Sequence, residues 1–331
     1  MWSEFFSKIG KIVVIFLIIL VTSYFFLPTF SQKKIVVEIP KRADSEKISQ
    51  ILWKNKVIPN PYFFCLVVKL LRWETDLKAG IYEFESPSLL SVLDKLKNGK
   101  VKLYRVTIPE GLPKWRVAQI LSEKKIVDRE DFLKAVDHPG RFYTQFPWLY
   151  STKSLEGYLF PDTYYFPRED NVDKVIERFL TRFEKVVLPI YYKYKKDKKN
   201  NLSLREVVTL ASIVEKEARI NSEKPVIAAV FFNRLRKGMR LRADPTVKYA
   251  LGSFRKRLKK STLDYPSPYN TYLYYGLPPG PICSPGVKSI RAVLYPANVD
   301  YLYFVAKGDG THKFSRTYKE HLRAVALYQR G

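Results

Sequence analysis

The chain has 331 residues, of which 46% are hydrophobic and 15% aromatic, enough for two or three domains with their own cores. Its 58 basic and 32 acidic residues leave a net charge of +26, which in a cytoplasmic protein would point to nucleic acid. Three His and two widely spaced Cys, with no Cys/His cluster, argue against a zinc site.

Residues 12–32 carry no charge, and Ile12 to Val21 is unbroken Ile, Val, Phe and Leu. About 20 such residues span a bilayer core. Tyr24, Phe25, Phe26 and Pro28 close the run, and Lys8 and Lys11 precede it against a single acid, Glu4. That pattern predicts a retained single-pass anchor with residues 1–11 in the cytoplasm; a cleaved signal peptide fits less well, because no small-x-small cleavage site follows the run. Lys33 and Lys34 lie on the far side and weaken the charge asymmetry without reversing the assignment. The excess positive charge then faces anionic lipid and wall polymers outside, and a nucleic-acid role conflicts with the anchor.

Residues 33–149 contain an internal repeat. Val37-Glu38-Ile39-Pro40 recurs 69 positions later as Val106-Thr107-Ile108-Pro109. Ile48, Gln50, Ile51 and Leu52 align with Val117, Gln119, Ile120 and Leu121, and Val57-Ile58 with Ile126-Val127. Each copy reads strand, proline-marked turn, amphipathic helix and second helix. In the first copy a strand at Gly80 to Phe84 and a helix from Leu89 to Leu96 follow. Such strand-helix-helix-strand units resemble LysM modules, which bind N-acetylated glycans; a duplicated spacer is the equal alternative. Cys65 lies in an apolar run and reads as a core residue, with a disulfide to Cys283 as the alternative.

The remainder, 150–331, is rich in motifs. Leu155-Glu156-Gly157-Tyr158 opens an aromatic, turn-forming stretch. Lys193, Lys195, Lys196, Lys198 and Lys199, interleaved with Tyr191, Tyr192 and Tyr194, read as a solvated loop or helix end. Ser203 with Glu206 forms a capping-box pattern at the head of a helix from Leu204 to Ala218. Leu204, Val208, Ala211 and Ala218 share one stripe at 100° per residue, and Glu215 falls in the middle of it. A carboxylate on a buried face must be paired or protonated. A general acid near neutral pH exploits that situation, but a structural ion pair does so equally, and Leu210 and Ile213 offer a second apolar side. Then come Phe231-Phe232-Asn233-Arg234-Leu235, Ala243-Asp244-Pro245-Thr246, Tyr269-Asn270-Thr271-Tyr272 and Gly276-Leu277-Pro278-Pro279-Gly280-Pro281-Ile282. Flat rings with amides and hydroxyls are what sugar sites use. A core strand is expected at Tyr301 to Ala306, a glycine turn at Gly308 to Gly310, and a closing helix to Gln329.

These six ordered motifs, LEGYLFPDTY, ASIVEKEA, FFNRL, ADPTV, YNTY and GLPPGPI, resemble those of the MltG (YceG-like) family of membrane-anchored endolytic murein transglycosylases. The resemblance covers nearly the whole chain. It implies an α+β protein with an N-terminal anchor, LysM-like βααβ units and a mixed catalytic domain. It implies Glu215 as catalytic acid, with Glu156, Asn233, Asp244, Thr246, Tyr269, Asn270, Thr271 and Tyr272 lining a glycan cleft, and neither metal nor cofactor. It also implies peptidoglycan strands as substrate and penicillin-binding glycan synthases as partners. One departure is Cys283-Ser284, where the family carries a small residue and Asn. A muramidase-type hydrolase using Glu156 or Asp244, and a non-enzymatic wall-binding scaffold, remain the alternatives.

Overall fold

The computed structural model describes residues 34–150, 152–197, 202–254 and 258–329. The expected cytoplasmic tail and anchor, 1–32, and Lys198 and Lys199 of the basic run lie outside those residues. Helices and three two-stranded sheets make up the described chain, an α+β composition. No described helix is long and apolar enough to cross a membrane.

Two compact units are present. The first holds the residues up to Tyr104 together with 165–168. Strand β1 (Ile35–Ile39) pairs antiparallel with β2 (Gly80–Phe84), Ile35 opposite Phe84 and Ile39 opposite Gly80. Between them run helices α1 (Ser45–Lys54) and α2 (Pro61–Leu70). Each starts where a short polar side chain satisfies a free backbone N–H: Lys47 N donates to Asp44 at 2.8 Å and Phe63 N to Asn60 at 3.1 Å. Pro61 pre-sets the first turn of α2. Helix α3 (Leu89–Asn98) ends on Gly99, whose φ of 61° is the left-handed stop that glycine allows cheaply. Val37, Ile39, Ile48, Leu52, Phe64, Val68, Tyr82, Phe84 and Leu93 form one core, with Cys65 packed at its margin. The strand at 80–84 and the helix from Leu89 stand where the sequence pattern placed them. Both cysteines are free thiols, so the alternative disulfide is absent.

The second unit comprises 105–164 and 169–331. The division between these two compact units falls at residue 104/105, with 165–168 joining the first. The second repeat copy is built into the motif-bearing region: strand β3 (Tyr104–Thr107), helices α4 (Lys114–Glu123) and α5 (Arg129–Asp137), then β4 (Thr163–Phe166), which pairs with β3. Ile108 N donates to Asp162 O, Gly111 N to Ser284 O, and Ser284 N to Leu112 O, all at 2.8–2.9 Å. These bonds tie the copy to segments up to 173 residues away along the chain.

Helix α6 (Val172–Asp197) carries the basic run at its end: Tyr191 and Tyr194 are buried, while Lys193 and Lys196 point to solvent. Helix α7 (Leu204–Glu217) is the centre of the unit. It packs against α8 (Lys224–Arg236) and α10 (Val287–Leu294), and touches α9 (Asp244–Ala250). Every residue from Val207 to Val214 is buried, so both apolar sides of the helix are used. Strands β5 (Tyr303–Ala306) and β6 (His312–Ser315) form a hairpin, and α11 (Tyr318–Tyr328) closes the chain behind a Thr317–Glu320 capping box. The strand expected to be core is half-buried: only Val305 of β5 is fully inside, because a two-stranded ribbon has one covered face.

Candidate active site

The capping box that starts α7 is formed: Ser203 N donates to Glu206 Oε2 at 2.8 Å and Glu206 N to Ser203 Oγ at 3.3 Å. One turn before its end, Ser212 Oγ accepts from Ile282 N at 3.0 Å, and Cys283 Sγ lies 3.3 Å from Ser212 O. This pins the GPI segment along α7, and α10 begins five residues after Ile282. Glu215 therefore meets the N-terminus of α10. Its Oε2 accepts from Gly286 N at 3.0 Å and from Ser289 Oγ at 2.6 Å. Lys224 Nζ reaches Oε1 at 3.1 Å and Oε2 at 3.2 Å. The side chains of Glu215 and Lys224 are 10% and 4% exposed, so a buried carboxylate is compensated by an ammonium, a hydroxyl and a helix-terminal amide. Among the described residues Oε1 meets Lys224 only, whereas Oε2 holds three donors.

A second carboxylate stands close by. A Cβ on Gly286 would run into the Glu110 carboxylate, so Gly286 lies between Glu215 and Glu110. Gly111, at φ 77°, lets the backbone pass Glu215: a Cβ there would sit 3.5 Å from Glu215 Cγ. Lys216 Nζ donates to Gly111 O at 3.3 Å and lies 4.4 Å over the Phe254 ring. From Phe254 a file of rings continues. Trp115 is 6.3 Å from Phe254 and 5.0 Å from Tyr249, and Tyr249 is 4.8 Å from Tyr269. The four rings are half-buried and form one aromatic wall, and rings are what sugar sites use against the apolar faces of sugars.

Behind the wall is Glu156, 2% exposed. Lys114 N, in the first turn of α4, donates to both its oxygens at 3.1 Å, and Tyr249 OH to Oε2 at 3.1 Å. Burial outweighs these donors and pushes its pKa up to about 7. Gly157, at φ 87°, has no room for a side chain: a Cβ would be 2.5 Å from Pro281 and 2.9 Å from Val208. The LEGY motif is thereby a contact between three segments.

Asn233 Nδ2 donates to Val299 O and Tyr301 O, at 2.9 and 2.8 Å. Thr246 Oγ1 donates to Ala243 O at 2.7 Å and lies 2.9 Å from Thr271 Oγ1, which accepts from Ala243 N at 2.9 Å. Asn270 Nδ2 donates to Leu263 O and Tyr265 O at 2.8 and 2.9 Å. All four are buried, and their polar atoms hold loop backbone. Asp244 and Tyr272 pair with each other, O to O 2.6 Å, and line a separate cavity of about 840 Å³ with Glu217, Arg234, Arg240 and Arg242. Burial, then the charge of Asp244, pushes Glu217 to about 8. The structure thus brings Glu215 near the aromatic wall that contains Tyr269 and covers Glu156, and puts Asp244 and Tyr272 elsewhere.

Sequence reasoning missed Lys224, Ser289, Gly286, Glu110, Trp115, Tyr249 and Phe254. Lys224-Pro225 reads as a surface helix start, and only the buried partner on α7 distinguishes it.

One donor-clasped glutamate beside an aromatic wall, in a mixed α+β unit, has the composition of a carbohydrate site. The chain belongs to the YceG-like family, whose model matches residues 37–327. It is 33% identical over 312 residues to the endolytic murein transglycosylase of Bacillus subtilis (strain 168), covering 90% of this chain and 86% of that protein. It is 31% identical to that of Streptococcus pneumoniae serotype 2 (strain D39), covering 89% of this chain and 58% of that longer protein. The crystal structure of a yceG-like protein from Listeria monocytogenes superposes with a TM-score of 0.61 at 36% identity, covering 88% of this chain and 99% of that one.

Proposed function

We propose that the protein is an endolytic murein transglycosylase, a lyase that cuts the β-1,4 bond between N-acetylmuramic acid and N-acetylglucosamine within glycan strands. The observation that carries this reading is the geometry of Glu215, in a chain whose relatives bear that activity as their name. Lys224 bridges both oxygens, and Gly286 and Ser289 hold Oε2 as well, so Oε1, with one donor against three, is the oxygen assigned to the proton. Protonated Oε1 gives its proton to the glycosidic oxygen as the bond from C1 breaks. The same oxygen then takes the proton of the muramyl C6 hydroxyl, whose oxygen bonds to C1. No water enters, and the new end is a 1,6-anhydromuramyl residue. One carboxyl suffices, whereas hydrolysis recruits a second.

Residues 12–32 are read as a single-pass anchor with the N-terminus in the cytoplasm, which would confine cutting to nascent strands beside their synthases and so set strand length. Penicillin-binding glycan synthases are the partners that this placement favours. The βααβ units are read as LysM-like, with the first holding the glycan or spacing the site from the membrane.

The test is digestion of purified peptidoglycan by the wild type and Glu215→Gln, with the new ends weighed by mass spectrometry. Ends lighter by one water, absent with the variant, are expected; normal cleavage by the variant would refute the role of Glu215. Glu110, beside Gly286, favours a muramidase-type hydrolase as the second reading, and reducing muramyl ends would establish it. Binding with no cutting by the wild type would indicate a scaffold.

A further inference from the structure

Helix α2 turns Phe64, Val67 and Val68 into the core of the first unit. Its opposite face is apolar as well. Tyr62, Leu66 and Leu70 recur every fourth residue, 84%, 52% and 73% exposed, and Leu71, the C-cap, is 44% exposed. Trp53 of α1, half-exposed, lines a groove of about 800 Å³ with Tyr62 and Leu66. A folded domain does not ordinarily leave such a contiguous stripe to water. Lys54 and Lys69 line the same groove and Arg72 follows the helix, with Glu46 and Glu74 as the opposing charges.

We propose that this face of α2 rests on the surface of an anionic bilayer, with Tyr62, Leu66 and Leu70 in the interfacial layer and Lys54, Lys69 and Arg72 at the head groups. The inference rests on the reading of residues 12–32 as an anchor. That uncharged run ends three residues before β1 begins at Ile35, so even a fully extended link holds the unit within roughly 10 Å of the run's end. A unit so tethered has a membrane as its permanent neighbour. Over residues 34–104 there are 13 basic residues against 8 acidic, the sign that anionic head groups attract. Aromatic residues at the margin of an aliphatic stripe match the interfacial layer, where ring and hydroxyl are both accommodated. A hydrated glycan would use Trp53 and Tyr62 but has nothing to cover Leu66, Leu70 and Leu71.

The experiment places a photoreactive benzoylphenylalanine at position 62 or 66 of the full chain, and at position 90 of α3, also exposed, as control. Each protein is reconstituted into vesicles of phosphatidylethanolamine and phosphatidylglycerol, floated, mixed with glycan strands and irradiated. Adducts heavier by one phospholipid at 62 and 66, and not at 90, are expected. Vesicle-bound protein with glycan adducts, or with no lipid adduct at 62 and 66, overturns the inference and leaves the anchor standing. Protein that fails to float overturns the anchor, and the docked face with it.

Discussion

Glu156 makes the stability of the second unit depend on pH, in a direction opposite to that of most carboxylates. Its carboxyl is raised from 4.5 to about 7 by burial, so the native state holds a proton that the unfolded chain has lost above pH 4.5. A group of this kind contributes fully below about 4.5, and its contribution drains away as pH rises through 7. A shift of about 2.5 units at 1.36 kcal/mol each corresponds to roughly 3 kcal/mol between those limits. Glu156→Gln removes the titration. The amide oxygen still accepts from Lys114 N, and the amide nitrogen can donate to Tyr249, which reverses its role at the same site. Urea unfolding at pH 5 and at pH 7.5 measures the effect. The variant is expected to match the wild type within about 1 kcal/mol at pH 5 and to exceed it by roughly 2–3 kcal/mol at pH 7.5. Identical pH slopes for the two proteins would refute the reasoning, because burial would then not be holding the proton on Glu156.

Other perturbations separate structure from chemistry. Lys224→Met leaves the Glu215 carboxylate buried without its ammonium; a loss of about 3–5 kcal/mol in chemical denaturation is expected, together with loss of cleavage. Gly157→Ala adds a Cβ against Pro281 at a left-handed backbone position and should cost roughly 2–4 kcal/mol, read by thermal or urea melts; an unchanged melt would mean that the three segments are not in contact. Glu110→Gln distinguishes the two chemistries: anhydro ends persist if Glu215 acts alone, whereas a hydrolase that relied on Glu110 as its base would stop, as scored by mass spectrometry of the released ends.

The sequence carried the helix of Glu215 well, because Ser203 and Glu206 mark its start and the stripe through Val208 and Ala211 marks its inner face. The repeat was legible for a similar reason, since Val106 to Pro109 copies Val37 to Pro40. What periodicity could not supply was the fate of each side chain across the fold. Asn233 and Asn270 have the composition of sugar ligands, yet each amide is spent on two carbonyls of its own chain. An amide that closes a loop and one that faces a substrate look the same in one dimension. Lys224 was invisible for the converse reason: nothing in its neighbourhood announces a buried cation until α7 lies beside it. Trp115 was hidden because a ring on the outer side of a short helix becomes meaningful only when Tyr249 and Phe254 arrive from well over 100 residues downstream.

The clasp around Glu215, on which its proposed chemistry rests, is assembled from parts that are far apart along the chain. Gly111 is 105 residues before the lysine that contacts it, and Ser289 is 74 residues after the carboxylate that it holds. Contacts of such long range form late, since loop closure must precede them. No stretch shorter than Glu110 to Ser289 holds all the parts of the proposed site, and a chain still being synthesised lacks it until α10 has emerged and docked. For a protein whose proposed target is the polymer that keeps its own cell intact, harmlessness before folding is complete is a property of where the residues are placed along the chain, and requires no separate inhibitor.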